Sequence, residues 1–495
     1  MVIARPAASV SDLRLVEMPT LHCGDSVIER AFAIALHDLA FNIVRLQDGL
    51  LEREARVFRA GGGYDKPWTR DAAINVWSGA GLLYPEIARN TLLATLDRDA
   101  NGLSIAAEYE QYWDRIIWTL GAWSFYLFTG DREFLALALD AAANTMRSLE
   151  ATEFSAELHL FRGPAVYGDG VAGYPDVYTR TLGGHSSILR WSAANPEAAS
   201  RPGRGLPMHA LSTNCLYAFV YDVLDAMARE LGVAPDPRWE TRSERIREAI
   251  NTHFWIPERE HYRYLVDPFG GSDVQEGLGH AFAILFDVAD DTRREALLRA
   301  QTITPNGIPC LWPCFDRYRR DEHYGRHSGT VWPPIQGFWA EAVSRCGRAD
   351  LFEFELRTLA ARAVRDGQYF ELYHPETGLP YGGLQEWESR GIVDDWESFP
   401  HQTWSATAFI RMIVMCVAGT RFDVDAVRFE PLIPPTFERI DLVGLPYRNA
   451  TLGISIRGRG NYVERVLLDG REAEAPSIPA DAAGTHSIEI MLGTR

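Results

Sequence analysis

Residues 116–128 read IIWTLGAWSFYLF, an apolar run broken only by Thr119, Gly121 and Ser124. No face of a helix built from it would be polar, so such a helix must be buried on more than one side. Two further segments share the character, ALHDLAFNIVRL (35–46) and TWSATAFIRMIVMCVAG (403–419). Between them the apolar residues recur at i, i+3, i+4 spacing, which predicts helices over 28–46, 71–96, 110–128, 131–149, 208–232, 239–254, 276–288, 290–302, 333–346, 349–365 and 402–418. Asp131, just after Thr129-Gly130, places a carboxylate at the positive end of one of them. Eleven or twelve helices in succession, alternately well buried and amphipathic, suit a double ring of antiparallel hairpins, the (α/α)6 toroidal barrel. No fixed-period repeat of the kind a solenoid shows is present.

From about residue 420 the pattern changes to period two, in VRFEPLIP, RIDLVGLPY, NATLGISIRGRG, ERVLLDGREAE and HSIEIML, with Asp469-Gly470 as a turn signal. The expected organisation is an N-terminal extension over 1–24, a helical barrel over 25–419 and a small antiparallel β-subdomain over 420–495. The 495 residues, 46% hydrophobic and 23% charged, are those of a globular protein. A formal charge of −18 argues against nucleic-acid and anionic-membrane partners. No run reaches a membrane span, and the first fifteen residues lack the apolar core of a signal peptide, so a cytoplasmic protein is expected. Six cysteines are scattered, and only Cys310 and Cys314 are close, too few ligands for a zinc site, so no metal is expected.

Five loop segments concentrate Trp, Tyr, His and carboxylates: 63–77, 106–115, 161–178, 324–339 and 368–404. In a ring of helix hairpins every second connection lands on the same face, so these loops can converge. Aromatic faces take the C–H faces of sugar rings and charged or amide groups take the hydroxyls, which is the composition of a carbohydrate pocket. The stretch QYFELYHPETGLPYGG (368–383) sets a carboxylate among rings in a segment whose glycines and prolines forbid a long helix.

WTRDAAINVWSGAGLLYPEIARNTLL, WTLGAWSFYLFTGDREFL, FRGPAVYGDGVAGYP, HSGTVWPPIQGFW and QTWSATAFIRM, in that order, resemble the six-hairpin glycosidases, and FELYHPETGLPYGG is similar to the glutamate loop of glycoside hydrolase family 63, ENY-x-P-x-TG. The resemblance covers about residues 25–420. It implies an (α/α)6 barrel and an inverting, exo-acting glycosidase of the trehalase and processing-glucosidase type, which leads to an α-glucoside as the first substrate. It also implies a glutamate base at Glu371, with Glu386 or Glu388 as alternatives, and an aspartate acid within 161–178. The family pattern SGMDNSP is absent, so the acid stays open among Asp169, Asp176 and Asp114, with Asp169 favoured because Gly168 and Gly170 flank it. Inversion requires the two carboxyls roughly 6.5–9.5 Å apart, which loops distant in sequence can supply.

Supporting residues are Arg70 and Asp71 for hydroxyls, Asp71 otherwise serving as a helix cap. Trp68, Tyr112 and Trp113 are expected as stacking platforms and Asp114 as a hydroxyl ligand or salt-bridge partner. His327, Trp332, Tyr373, His374, Gln402 and Trp404 are expected in or against the pocket lining. No cofactor is required. A sugar epimerase using His323, His327, His374 and His401, and a phosphorylase binding phosphate at the 327–330 turn, are the rival chemistries. Oligomeric state, sugar, anomer and linkage are not legible from the sequence.

Overall fold

The computed structural model describes residues 18–100, 102–107, 111–168, 170–179, 187–195, 203, 205–319, 322–387, 391–393, 396–460 and 462–494. Asp169 and Glu388 lie outside the described residues, as does the side chain of Glu386.

Six helices form a closed cycle of neighbours: Thr69–Asn75, Asp114–Thr129, Leu211–Leu231, Gly277–Leu285, Pro333–Arg345 and Thr403–Arg411, each packed on the next and the last on the first. Asp114–Thr129 and Thr403–Arg411 hold two of the three apolar segments; the third, 35–46, lies instead in an outer helix and the strand after it, with only one face of that helix buried. Every residue of Gly277–Leu285 and of Thr403–Arg411 is buried. Where two of these helices meet, small residues allow the approach. A Cβ on Gly121 would stand 2.7 Å from the Cα of Ala73, and one on Gly337 would touch Ala408 at 3.0 Å.

The amphipathic helices alternate with them in sequence and lie outside: Ser26–Phe41, Pro85–Leu93, Arg132–Glu153, Arg238–His253, Asp291–Ala300 and Ala349–Asp366. Ser26–Phe41, for example, packs on Thr403–Arg411 and on Ala349–Asp366. As expected, Asp131 caps its helix, accepting the Phe134 N–H at 2.9 Å. Gly130, at φ 72°, ends the preceding one.

Three predicted helices are shorter than their periodicity suggested. The first stops at Phe41, and the β-branched run Ile43–Leu46 pairs antiparallel with Ala55–Phe58. The expected 71–96 helix breaks at a π-turn over Val76–Ala80, where Gly79 takes φ 115°, and restarts at Pro85, a residue suited to a first helical turn. The last runs as α-helix only to Arg411 and continues as a π-segment, Met412–Val417.

The C-terminal strands form two sheets. One is three-stranded, with Ala426–Phe429 between Thr420–Phe422 and Ser477–Pro479. The other is six-stranded and is not wholly antiparallel: its central pair, Asn449–Gly458 with Ala483–Gly493, runs parallel. A parallel pair needs a long crossover, and residues 459–482 supply it while adding the strand Tyr462–Leu468 antiparallel to Ala483–Gly493. Thr20–His22, from the expected N-terminal extension, pairs with Arg439–Tyr447 and completes one edge of this sheet. No described helix is long and apolar enough to cross a membrane.

Candidate active site

Because the six inner helices are each entered from the same end of the hairpins, their first turns share one end of the ring. Thr69, Arg70 and Asp71 open one helix, Trp332 precedes another, and Gln402 and Trp404 open a third. All six of these residues are buried. Arg70 lies over the Trp404 ring at 5.3 Å and over Trp332 at 5.9 Å, and donates to the Val166 carbonyl at 2.6 Å. Trp332 meets Trp404 edge-on at 4.7 Å and His327 at 4.7 Å, and His327 stacks in turn on Tyr167 at 4.9 Å. Arg70 and Asp71 are 3.9 Å apart. Asp71 is not the N-cap, a position Trp68 takes without a side-chain bond.

Into this end runs the 368–383 loop. Glu371 is buried, and its backbone N–H donates to the Phe399 carbonyl at 2.9 Å. The Tyr64 hydroxyl reaches Glu371 Oε1 at 3.5 Å, and Arg326 Nη2 stands 3.7 Å from the same oxygen. Arg326 itself lies flat over Trp396 at 4.2 Å. Tyr64 packs edge-on against Trp68 at 6.1 Å and Phe399 at 5.4 Å.

Several buried polar atoms at this end have no hydrogen-bond partner among the described residues: both amide atoms of Gln402, the indole N–H groups of Trp332 and Trp404, and the Thr69 hydroxyl. Leaving such groups buried and unmatched costs roughly 1–3 kcal/mol each, and a polyhydroxylated ligand would match them.

The other expected residues have partners inside the protein. Tyr112 donates to the Arg162 carbonyl, accepts from the Tyr217 hydroxyl at 3.1 Å and packs under Gly163. Trp113 donates to Thr213 Oγ1 at 2.8 Å and stacks on Phe282 at 5.9 Å. Packing therefore takes up both rings expected as platforms. Asp114 is fully buried as the first residue of its helix. The Tyr373 hydroxyl accepts the Phe370 N–H at 2.9 Å and its ring lies under Arg362 at 4.4 Å. His374 pairs through Nε2 with the Glu322 carbonyl at 2.7 Å, and its Nδ1 accepts from Glu376 and Thr377 N–H, so it ties the Pro-Glu-Thr-Gly turn. Asp176 forms an ion pair with Arg317 at 2.9 Å, the arginine that also holds the Val171 and Tyr174 carbonyls. Gly168 and Gly170, the chain neighbours of Asp169, sit against Gln111 and Gln385. Tyr64 and Arg326 lie in the 63–77 and 324–339 loops, and nothing in GYDKPW or YGRHSG says which side chain turns inward.

The family model described as the mannosylglycerate hydrolase MGH1-like glycoside hydrolase domain matches residues 68–405, more than half of the chain. The chain belongs to that family. The matched span opens on Trp68 and closes just past Trp404, so it brackets the residues assembled above apart from Tyr64. The chain is a six-hairpin glycosidase by family, similar to glycoside hydrolase family 63. Its fold is like that of the family 63 mannosylglycerate hydrolase from Thermus thermophilus, solved in complex with Tris and D-glycerate, at 16% identity and TM-score 0.55 over 77% of this chain and 100% of that one. It is also like a structure described as a sialidase, at 15% identity and TM-score 0.66, and a family 78 rhamnosidase of Bacillus sp. GL1, at 15% and 0.58. These two matches cover 95% and 97% of this chain but only 41% and 44% of those, so the chain spans less than half of their length. No curated protein matches in sequence.

Proposed function

We propose that the closed ring of helices is an (α/α)6 barrel and that the chain is an inverting, exo-acting glycoside hydrolase of short oligosaccharides or glycosides. Glu371 is the general base and Asp169 the general acid. The observation that carries this reading is the buried Glu371 carboxylate, set between Arg326 and Tyr64 at the end of the ring where the aromatic loops meet. In this reading Glu371 takes a proton from water on one face of the glycone while an acid on the 161–178 loop protonates the leaving oxygen on the other. Trp68, Trp332 and Trp404 would supply ring faces, and Arg70, Asp71, His327 and Gln402 the hydroxyl contacts. Tyr373 and His374 would support the base loop without touching sugar.

An α-glucoside remains the first substrate class. A mannoside is the second, because the matching family is described by a mannosylglycerate hydrolase. The epimerase alternative loses support, since two of its four histidines have structural partners: His374 ties a turn and His401 pairs with Asp38.

The test is a panel of aryl and natural glycosides, α-glucosides and α-mannosides first, with the released anomer followed by NMR for the native chain, Glu371→Gln and Asp169→Asn. The expected result is an inverted product and a loss of roughly 10²–10⁴-fold in each variant. Retained configuration, or full activity in Glu371→Gln, overturns the assignment.

A further inference from the structure

The outer helix Ser26–Phe41 contains one carboxylate with no exposure at all, Asp38. A charge so placed is costly unless every lone pair is used. Its Oδ2 accepts the backbone N–H of Tyr369 at 2.7 Å, and its Oδ1 meets His401 Nδ1 at 2.8 Å and, more distantly, His37 Nδ1 at 3.5 Å. Tyr369 is two residues before Glu371, and His401 immediately precedes Gln402.

These two stretches also grip one another. Glu371 N–H donates to Phe399 O and Gln402 N–H to Tyr369 O, each at 2.9 Å, and Ser398 Oγ bonds both the N–H and the carbonyl of Leu372. One helical turn on from Asp38, Asn42 donates to the His401 carbonyl at 2.6 Å and accepts from Arg59 Nε at 2.9 Å. Arg59 in turn donates to the carbonyl of Tyr64 at 3.2 Å, and it is the Tyr64 hydroxyl that approaches Glu371. His401 is held at φ 48°, a backbone conformation a non-glycine residue keeps only when its surroundings impose it. Asp38 and Asn42 are what impose it. One face of the first helix thus fixes, from outside the ring, the loop bearing Glu371, the residue before Gln402 and the loop bearing Tyr64.

We propose that Asp38 is a positioning residue for Glu371, acting through the Tyr369 N–H and His401, with Asn42 extending the same clamp to Tyr64. This rests on reading Glu371 as the base. Displacing a catalytic group by about 1 Å can cost on the order of 100-fold in rate while ground-state binding is kept. A clamp differs from simple packing in two measurable ways. It should lower kcat with KM little changed, and its two arms should not act independently.

The experiment is steady-state kinetics on the best glycoside for the native chain, Asp38→Asn, His401→Ala, the double variant and Glu371→Gln, with thermal melts of each. The expected result is a fall in kcat of about 30-fold or more in Asp38→Asn, KM within about threefold, and a double variant no worse than the weaker single. A folded Asp38→Asn with native kcat overturns the inference, as does a fall in which the two substitutions multiply or KM moves with kcat. If Asp38→Asn does not fold, His401→Ala decides alone, because it leaves the Tyr369 bond in place: lowered kcat at constant KM supports the clamp, and native kcat overturns it. Full activity in Glu371→Gln would instead sink the reading of the base, and it shows separately from the other outcomes.

Discussion

Arg326 is the cation closest to Glu371 among the described ion pairs, at 3.7 Å with both side chains buried. The guanidinium stands on the same carboxylate oxygen as the Tyr64 hydroxyl, so the two fix where that oxygen points. Arg326→Gln removes one of these constraints, and kcat/KM should fall by about tenfold or more with the melting temperature near native. A native kcat/KM would mean that Arg326 serves Trp396 and the loop, not the base. Glu276 is fully buried at the start of Gly277–Leu285, with Ser212 alone among the described residues bonding its oxygens, and burial pushes its carboxyl up from 4.5 to about 8 against the lowering effect of those bonds. At pH below 4.5 the folded and unfolded chains both hold this proton. From there to about 8 the unfolded chain releases it while the folded chain keeps it, so the group destabilises the fold increasingly, by on the order of a few kcal/mol at the upper end. Glu276→Gln, which can accept the Ser212 N–H and donate to its hydroxyl, should melt like the native chain near pH 4.5 and at a higher temperature near pH 8. An equal difference at both values would show that Glu276 is ionised in the folded protein.

Among the elements, the helices Pro333–Arg345 and Thr403–Arg411 are joined by a buried ion pair, Glu341 with Arg411 at 2.5 Å, and Arg345 takes the other carboxylate oxygen at 2.6 Å. Burial alone would raise the Glu341 carboxyl, but the two guanidinium groups hold it at about 2. Arg411 lies over the adjoining rings of Trp77 and Phe338, at 4.3 and 4.7 Å, which ties the π-turn Val76–Ala80 to the same junction. Arg411→Met would leave the buried carboxylate with one partner, and denaturant unfolding should show a loss of about 3–5 kcal/mol; Arg411→Met with Glu341→Leu should recover much of it. A double variant as unstable as the single would mean that the rings, not the charge, hold the junction. Such a junction is invisible in sequence. Periodicity located nearly every helix because burial of one face is a local property, and it misjudged three ends where Gly79, Pro85 and the β-branched run after Phe41 outweigh it. The site is legible only as segments: the loops singled out by composition bring Glu371, Trp332, Gln402 and Trp404 to buried positions, but composition does not say which side chains of those loops turn inward. Tyr112 and Trp113 carry the same residue types, yet their side chains turn to Arg162 and Thr213, a choice made by neighbours about 50 and 100 positions away. Asp38 is hidden for a related reason: its partners, Tyr369 and His401, lie more than 300 positions away in sequence.

At the scale of the whole molecule, the C-terminal strands sit at the far end of the ring from Glu371. The Asp114–Thr129 helix has 16 residues, about 24 Å of length, and its last turn is where the subdomain docks. Phe422 meets Phe128 edge-on at 4.8 Å, and Arg448 donates to the carbonyls of Phe128 at 3.0 Å and Leu127 at 3.3 Å. The sheet is completed from the other end of the described chain by Thr20–His22, whose Leu21 is buried. Both flanking segments therefore belong to one structure that closes the end of the ring opposite the candidate site. Ending the chain after Gly419 would expose Phe128 and the π-segment Met412–Val417 and leave Leu21 without its strand partner. The expected outcome is loss of soluble, cooperatively unfolding protein, because the exposed surface is apolar and continuous with the core. Residues 420–495 supplied as a separate chain would restore both solubility and whatever hydrolysis the full chain shows, with an unchanged preference among glycosides. A soluble truncated chain with altered preference would place the subdomain in substrate recognition. That result would contradict the separation, since no group named at the Glu371 end comes from beyond residue 404.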